Sequence, residues 1–296
     1  MTYETIDWRV DDGLLWLTLN RPEQMNAFTT QMADELEHAF HRANEDDDVR
    51  VILVTGAGKA FCAGMDLSVG GNVFGLNEAL EPTLRDMETR LEDPEILRGV
   101  RDTGGRVTLA IHACRKPVVA AINGAAVGIG ATMTLAMDFR LASPRARIGF
   151  VFGRLGIVPE ACSSWFLPRI VGIQKALEWV YRANILELGE ALDAGLLHAI
   201  HDADILLSEA ETFARSLVAG RSPVAIAFAR QMMYRNMAAP HPMDAHRIES
   251  LAMFYTSIGD GKEGVAAFLE KRAAEFDGKA SAMPTVYDEW IAKEGY

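Results

Sequence analysis

Cysteine pairs, excess positive charge and long apolar runs are all missing from this chain of 296 residues. Its three cysteines, Cys62, Cys114 and Cys162, stand far apart with no C-x-x-C pair, which argues against a disulfide framework and against a zinc cluster. Lys and Arg number 29 against 41 Asp and Glu, so the net charge is -12. A surface of that sign repels phosphate backbones and disfavours a nucleic-acid partner, while leaving room for one small anionic ligand in a local site. No uncharged apolar run reaches the roughly 18 residues of a membrane span, and the opening MTYETIDWRV has neither the basic nor the apolar part of a signal peptide. The expectation is a cytoplasmic protein with no membrane partner. What remains is ordinary for a folded chain: 49% of residues are hydrophobic and 24% charged, enough apolar surface for a large core.

Alternation over 6–10 and 14–19 around Asp12-Gly13 predicts a hairpin. Met32, Leu36 and Phe40, four residues apart, predict an amphipathic helix over 30–44. Val51 to Val54 reads as a short buried strand running into a glycine-bearing loop, 56–64. Residues 68–105 carry the weakest pattern, with an amphipathic helix around 84–91. A second strand, 118–122, leads into another glycine-rich loop, 123–130, and a helical run, 131–137. A strand pair, 139–142 and 146–150, precedes a helix near Ser163. Beyond 203 the pattern is helical: Leu207, Phe213 and Leu217, then Ile226, Phe228 and Met232, fit three successive amphipathic helices. Repeated strand, loop and helix units followed by helices give an α/β class. The expected division is a core over 1–202, a helical lobe over 203–277, and a tail or arm over 278–296 outside the core.

Several enzyme classes fall away on spacing. Gly58-Lys59 is followed by Ala60, and Leu53 stands where a phosphate loop has its first glycine. Gly128-Ile129-Gly130 lacks the third glycine of a dinucleotide fingerprint, and no G-x-S-x-G, H-E-x-x-H or EF-hand loop occurs. Two similar junctions remain, Ala60 to Asp66 after one buried strand and Asn123 to Gly130 after another. Small residues let backbone approach a ligand, and a helix start just beyond points free N–H groups outward. Two such donors converging on one oxygen would stabilise an enolate. The plainer alternative is that both are only glycine turns.

Taken together, Asn20-Arg21-Pro22 with Asn26-Ala27, Ala60 to Leu67 (AFCAGMDL), Lys116 to Gly124 (KPVVAAING), Arg140-Leu141-Ala142, Gly156 to Glu160 and the Glu263 to Arg272 stretch resemble the crotonase family, the enoyl-CoA hydratase/isomerase superfamily. The resemblance runs over about residues 4 to 277, in order and at family-like spacing. It implies a spiral of ββα units with a helical C-terminal oligomerisation lobe that builds homotrimers, usually paired into hexamers. It also implies an acyl-CoA thioester substrate and no metal or redox cofactor, since CoA arrives with the substrate. The oxyanion donors would be the backbone N–H groups of Met65 and Ile129, flanked by Ala63, Gly64 and Gly128. The CoA arm would lie near Gln24, Asn26 and Ala27 and along Ala63 to Leu67, Asp66 included. Lys271 would meet a phosphate from the C-terminal lobe, with a solvated helix charge as the alternative.

The resemblance also says what is different about this chain. The best-known hydratases carry two glutamates, at the positions occupied here by Thr132 and Phe152, so the two-carboxylate hydration mechanism loses both its groups. A carboxylate stands instead at Glu160, where several isomerases and a dehalogenase of the family bear an acid. One carboxylate beside an unsaturated thioester suffices to move a proton between two carbons. Isomerase-like transfer by Glu160 is therefore the expectation, with single-glutamate hydration and a non-catalytic thioester-binding protein as alternatives. For Glu160 the structural alternative is a carboxylate at a helix N-terminus ahead of Cys162-Ser163-Ser164. Asp66 reads as a helix cap, His112 as a packed histidine, and Phe152, Met133 and Met137 as core or pocket wall.

Overall fold

The computed structural model describes residues 2–68 and 72–293. The chain begins with the expected hairpin: β1 (Ile6–Asp11) and β2 (Leu14–Leu19) pair antiparallel, joined by Asp12 and Gly13 at φ 43° and 80°. Helix α1 (Thr30–Glu45) is capped by Thr29, whose side chain accepts the Met32 N–H, and it buries Met32, Leu36 and Phe40 as their spacing predicts.

Three repeats of one step follow. β3 (Val51–Gly56) leads to the short β4 (Ala60–Cys62), β5 (Val118–Ile122) to β6 (Ala125–Val127), and β7 (Phe139–Ala142) to β8 (Arg147–Gly149). With β9 (Ala199–Ile200), the longer strands form a six-stranded sheet in the order β1-β2-β3-β5-β7-β9, and the short ones a three-stranded sheet, β4-β6-β8. Every pairing except the first hairpin is parallel. The expected pairing of β7 with β8 is corrected: each takes a parallel neighbour from the preceding step, β5 and β6 respectively, so the two lie in different sheets.

Helices fill the connections. Residues 72–113 carry α2 (Leu84–Thr89), α3 (Pro94–Gly99) and α4 (Thr103–Ala113), while 69–71, within the weakly patterned segment, lie outside the described residues. The helical run near 131 is a single turn, α5 (Ile129–Thr132), continued by a 3-10 turn at Met133–Ala136. Then come α6 (Ser163–Val171), α7 (Ile173–Arg182) and α8 (Leu188–Asp193). The C-terminal part holds α9 (Leu206–Val218), α10 (Pro223–Asn236), α11 (Pro242–Ile258), α12 (Asp260–Glu270) and α13 (Thr285–Lys293). The two apolar sets expected on three helices thus fall on two, α9 and α10.

β3 is buried at every position because both faces of its sheet are covered. Ile52 and Val54 face the main core with α1, whereas Val51 and Leu53 meet Leu206, Ala210 and Ala214 of α9. Fully burying one such branched side chain stabilises the fold by about 1.5–3 kcal/mol. The segment expected as a tail is not free of the core. Its α13 buries Val286 and Tyr287 against Phe228 of α10 and Ala252 of α11, a contact that composition rich in Gly and Pro hides; residues 294–296 lie outside the described ones. Among the described residues no helix is long and apolar enough to cross a membrane.

Candidate active site

Strands β4 and β6 run parallel with Cys62 opposite Ala126, so the loops that follow them, through Gly64-Met65 and Gly128-Ile129, leave at the same end of the small sheet. The two backbones touch. A Cβ at Gly130 would lie 2.0 Å from the Cys62 carbonyl oxygen, so only glycine allows the second loop to sit there. Phe28 bridges to Met65: its N–H donates to the Gly64 carbonyl (2.8 Å) and its own carbonyl accepts the Asp66 N–H (2.9 Å). That pattern turns the Met65 N–H away from Phe28, and it has no backbone acceptor among the described residues. Ile129 opens α5, and its N–H is likewise unpaired, as first-turn amides are. Two open amides thus stand on adjoining loops.

The expected helix after each loop forms only at the second. After Met65 the chain turns instead, and Asp66 caps no helix. Its carboxylate accepts from Ser68 N–H (3.1 Å) and Oγ (2.6 Å) and pairs with Arg21 (2.9 Å), bonds that hold it below its ordinary ionisation range. Residues 24–28 lie zipped against 63–66, since Ala63 N–H also donates to the Met25 carbonyl (3.1 Å). Gln24 and Leu67 are exposed there, and Ala27 and Ala63 are half-buried. Asn26 is a different case. It is fully buried, accepts the Arg21 N–H (2.8 Å) and donates to the Ala57 and Ala60 carbonyls (2.8 Å each), so its polar atoms are engaged with backbone and face no open space. Its side chain is a structural knot that ties the Arg21 turn to β4.

Glu160 comes to this place from a strained turn. Ala161 and Cys162 both adopt left-handed backbone, φ 55° and 53°, which costs non-glycine residues roughly 1 kcal/mol or more each. The turn directs the Glu160 side chain to α5, where Oε1 accepts the Thr132 hydroxyl at 2.6 Å. Oε2 lies over Gly104 and beside Ile129: a Cβ at Gly104 would come within 2.1 Å of Oε2 and 2.5 Å of Ile129 Cδ1. The helix-terminus alternative fails, because α6 begins at Ser163 without a side-chain cap and the carboxylate points elsewhere. Burial pushes the Glu160 carboxyl up to about 8, reinforced by the negative charge of Asp102 and opposed by the Thr132 hydrogen bond.

The positions of the two absent glutamates are filled without acid. Thr132 is fully buried, and Phe152 is 4% exposed with its ring edge about a van der Waals contact from Gly128. Met133 and Met137 are core, as expected. His112 is packed against Trp165, Phe166 and Tyr234, and burial and nearby arginines push it down to about 4. Burial raises Cys62 to about 12 and also raises Cys162, so neither is an activated thiol. Lys271 is exposed at the left-handed C-cap of α12, and no hydrogen bond or ion pair joins it to the two loops among the described residues. A cavity of about 290 Å³ lies elsewhere, lined by Asp47, Arg50, Arg115, Lys116 and Lys279, and contains none of the expected site residues. No cluster of His, Cys, Asp and Glu suited to a metal occurs among the described residues.

One participant is absent from the sequence reading. Asp102 caps α4, its Oδ1 accepting the Gly104 N–H (3.0 Å), and its Oδ2 accepts the N–H of Ala161 (2.6 Å), next to Glu160. The available signal was Asp102-Thr103-Gly104-Gly105. Two glycines in a first helical turn, each costing about 1 kcal/mol of helix propensity, indicate something pressing on that turn.

Comparison with known proteins shows the family and the fold. The family described as enoyl-CoA hydratase/isomerase matches residues 9–279. An enoyl-CoA hydratase of Alternaria alternata is 37% identical over 289 residues, covering 93% of this chain and 89% of that one. The 1,2-epoxyphenylacetyl-CoA isomerase of Escherichia coli is 32% identical, covering 91% and 97%. Among solved structures, an enoyl-CoA hydratase from Bacillus anthracis superposes with a TM-score of 0.79 at 28% identity, covering 93% of this chain and all (100%) of that one.

Proposed function

The chain belongs to the enoyl-CoA hydratase/isomerase family, and from that premise we propose that it moves the double bond of an enoyl-CoA thioester by proton transfer through Glu160. The thioester oxygen would accept from the Met65 and Ile129 amides, whose open N–H groups favour negative charge as an enolate develops. Glu160, steadied at Oε1 by Thr132, would take a proton from C2 of a 3-enoyl chain through Oε2 and return it at C4. The observation that carries this reading is the 2.6 Å hydrogen bond that fixes Glu160 to α5, one turn from the Ile129 amide. A group raised to about 8 is ionised in roughly a tenth of molecules at pH 7, enough for a base that must also release its proton.

Segments 24–27 and 63–67 would carry the CoA arm by backbone and apolar contact, with no further cofactor and no metal. Assembly as a trimer or hexamer is part of the same reading. It is supported by apolar side chains on α11 and α12 that this chain leaves in the open, among them Phe254 (57% exposed), Phe268 (82%) and Leu269 (73%). Unpaired thiols at Cys62, Cys114 and Cys162 fit a reducing compartment such as the cytoplasm. Hydration is the second reading, favoured by the relatives named enoyl-CoA hydratase. Incubation with a 2-enoyl-CoA and a 3-enoyl-CoA, followed by chromatography, separates the two: isomerisation gives only positional isomers, hydration a 3-hydroxyacyl product.

A further inference from the structure

Glu160 and Asp102, far apart in the chain, meet where the turn before α6 packs on the start of α4. Asp102 Oδ2 accepts the N–H of Ala161, the residue after Glu160, at 2.6 Å. Glu160 Oε2 in turn lies over Gly104, two residues past Asp102, where any side chain would collide with it. We infer that Asp102 is a positioning residue for Glu160: it fixes the turn that aims Glu160 and brings a second acid group against it.

Asp102 does not take over the work of a missing glutamate. Its two oxygens accept from the Gly104 and Ala161 amides, which holds it to the α4 start and to the turn beside Glu160. The titratable groups facing Glu160 are Asp102 from the start of α4, Cys62 from β4 and Cys162 beside the turn, none of them cationic. No ion pair forms to either carboxylate among the described residues. Charge and a hydrogen bond from Asp102 both favour the protonated form of Glu160, and the Thr132 hydroxyl on the far oxygen opposes them. Asp102 is itself exposed, so solvent screens its charge and the effect is of the order of one pH unit rather than several.

The inference rests on the proposed role of Glu160, but its test need not. Infrared titration of the whole protein without substrate follows the protonated carboxyl band that disappears in Glu160→Gln. In the parent that band should titrate near 8. Asp102→Asn keeps the volume, and Asp102→Ser keeps a helix cap; both should move the midpoint down by about one unit, and the acid limb of kcat/KM should move with it. An unchanged midpoint in variants whose thermal unfolding shows them folded overturns the inference. If neither variant folds, the parent decides alone, since a Glu160 band titrating near 4.5 also overturns it. Absence of turnover by the parent on every enoyl-CoA, with the midpoint still shifted in the variants, refutes the isomerase reading and leaves the carboxylate pair standing.

Discussion

The hydroxyl of Thr132 donates to Oε1 of Glu160 at 2.6 Å, joining the second open-amide loop to an acid that comes from the turn before α6. A position that holds a carboxylate in two-glutamate hydratases here holds the group that orients a different carboxylate. The hydrogen bond favours the anion, so it works against burial.

Replacing Thr132 by Val keeps shape and removes that donor. Glu160 should then hold its proton more tightly, and the acid limb of kcat/KM should move to higher pH. At pH 7 the variant should lose about 2.5–5-fold more activity than at pH 9, as a shift of half to one unit from about 8 requires. A parallel loss at all pH values would assign Thr132 to packing alone.

Stability carries the same sign information. Glu160 binds its proton more tightly folded, near 8, than its ordinary value of 4.5 unfolded. The folded state is therefore favoured by this group below 4.5, and that advantage is lost as pH rises toward 8. Glu160→Gln lacks the titration, so its stability relative to the parent should rise by about 2–4 kcal/mol between pH 5 and pH 9. Urea unfolding of both at fixed protomer concentration measures the difference; equal changes in both proteins would contradict the assigned shift.

Gly104→Ala should damage chemistry more than folding. The new methyl would overlap Glu160 Oε2 and Ile129 Cδ1, moving both the base and the second loop. A displacement of about 1 Å lowers kcat on the order of 100-fold. Gly189→Ala on α8 is the control, because nothing lies within 4 Å of that position. It should keep full activity.

Asn26→Ala separates a structural knot from a ligand contact. The Arg21 N–H and the Ala57 carbonyl lose their partner and the Ala60 carbonyl keeps only Asn123 of its side-chain donors, which costs about 2–4 kcal/mol of stability. The folded fraction should bind CoA thioesters within about twofold of the parent. Parent-like thermal unfolding combined with lost thioester affinity would return Asn26 to the binding site.

Much of the frame was legible because its causes are local. The hairpin around Asp12-Gly13, the spacing of Met32, Leu36 and Phe40, and the apolar runs of β3 and β5 each state their own burial. The loops were legible because small residues after buried strands mark close backbone approach. Whether β7 pairs with β8 depends on strands more than ten residues away, so the nearest partner was the wrong one. Asp102 and Gly104 went unread because what presses on them, Glu160, is nearly sixty residues further along the chain. Nor could composition weigh burial of Glu160 against a nearby helix start. The left-handed turn at Ala161 and Cys162 decides that contest by swinging the carboxylate away from α6.

Turnover of a 3-enoyl-CoA by Glu160→Gln, measured beside thioester affinity, bears most directly on the whole account. Glutamine keeps the shape and can still meet the Thr132 hydroxyl, but it cannot carry a proton from C2 to C4. Isomerisation should fall about 10²–10⁴-fold while affinity stays near that of the parent, since the Met65 and Ile129 amides are untouched. Parent-level turnover in the variant on every enoyl-CoA the parent converts would place the proton on another residue and contradict the role assigned to Glu160.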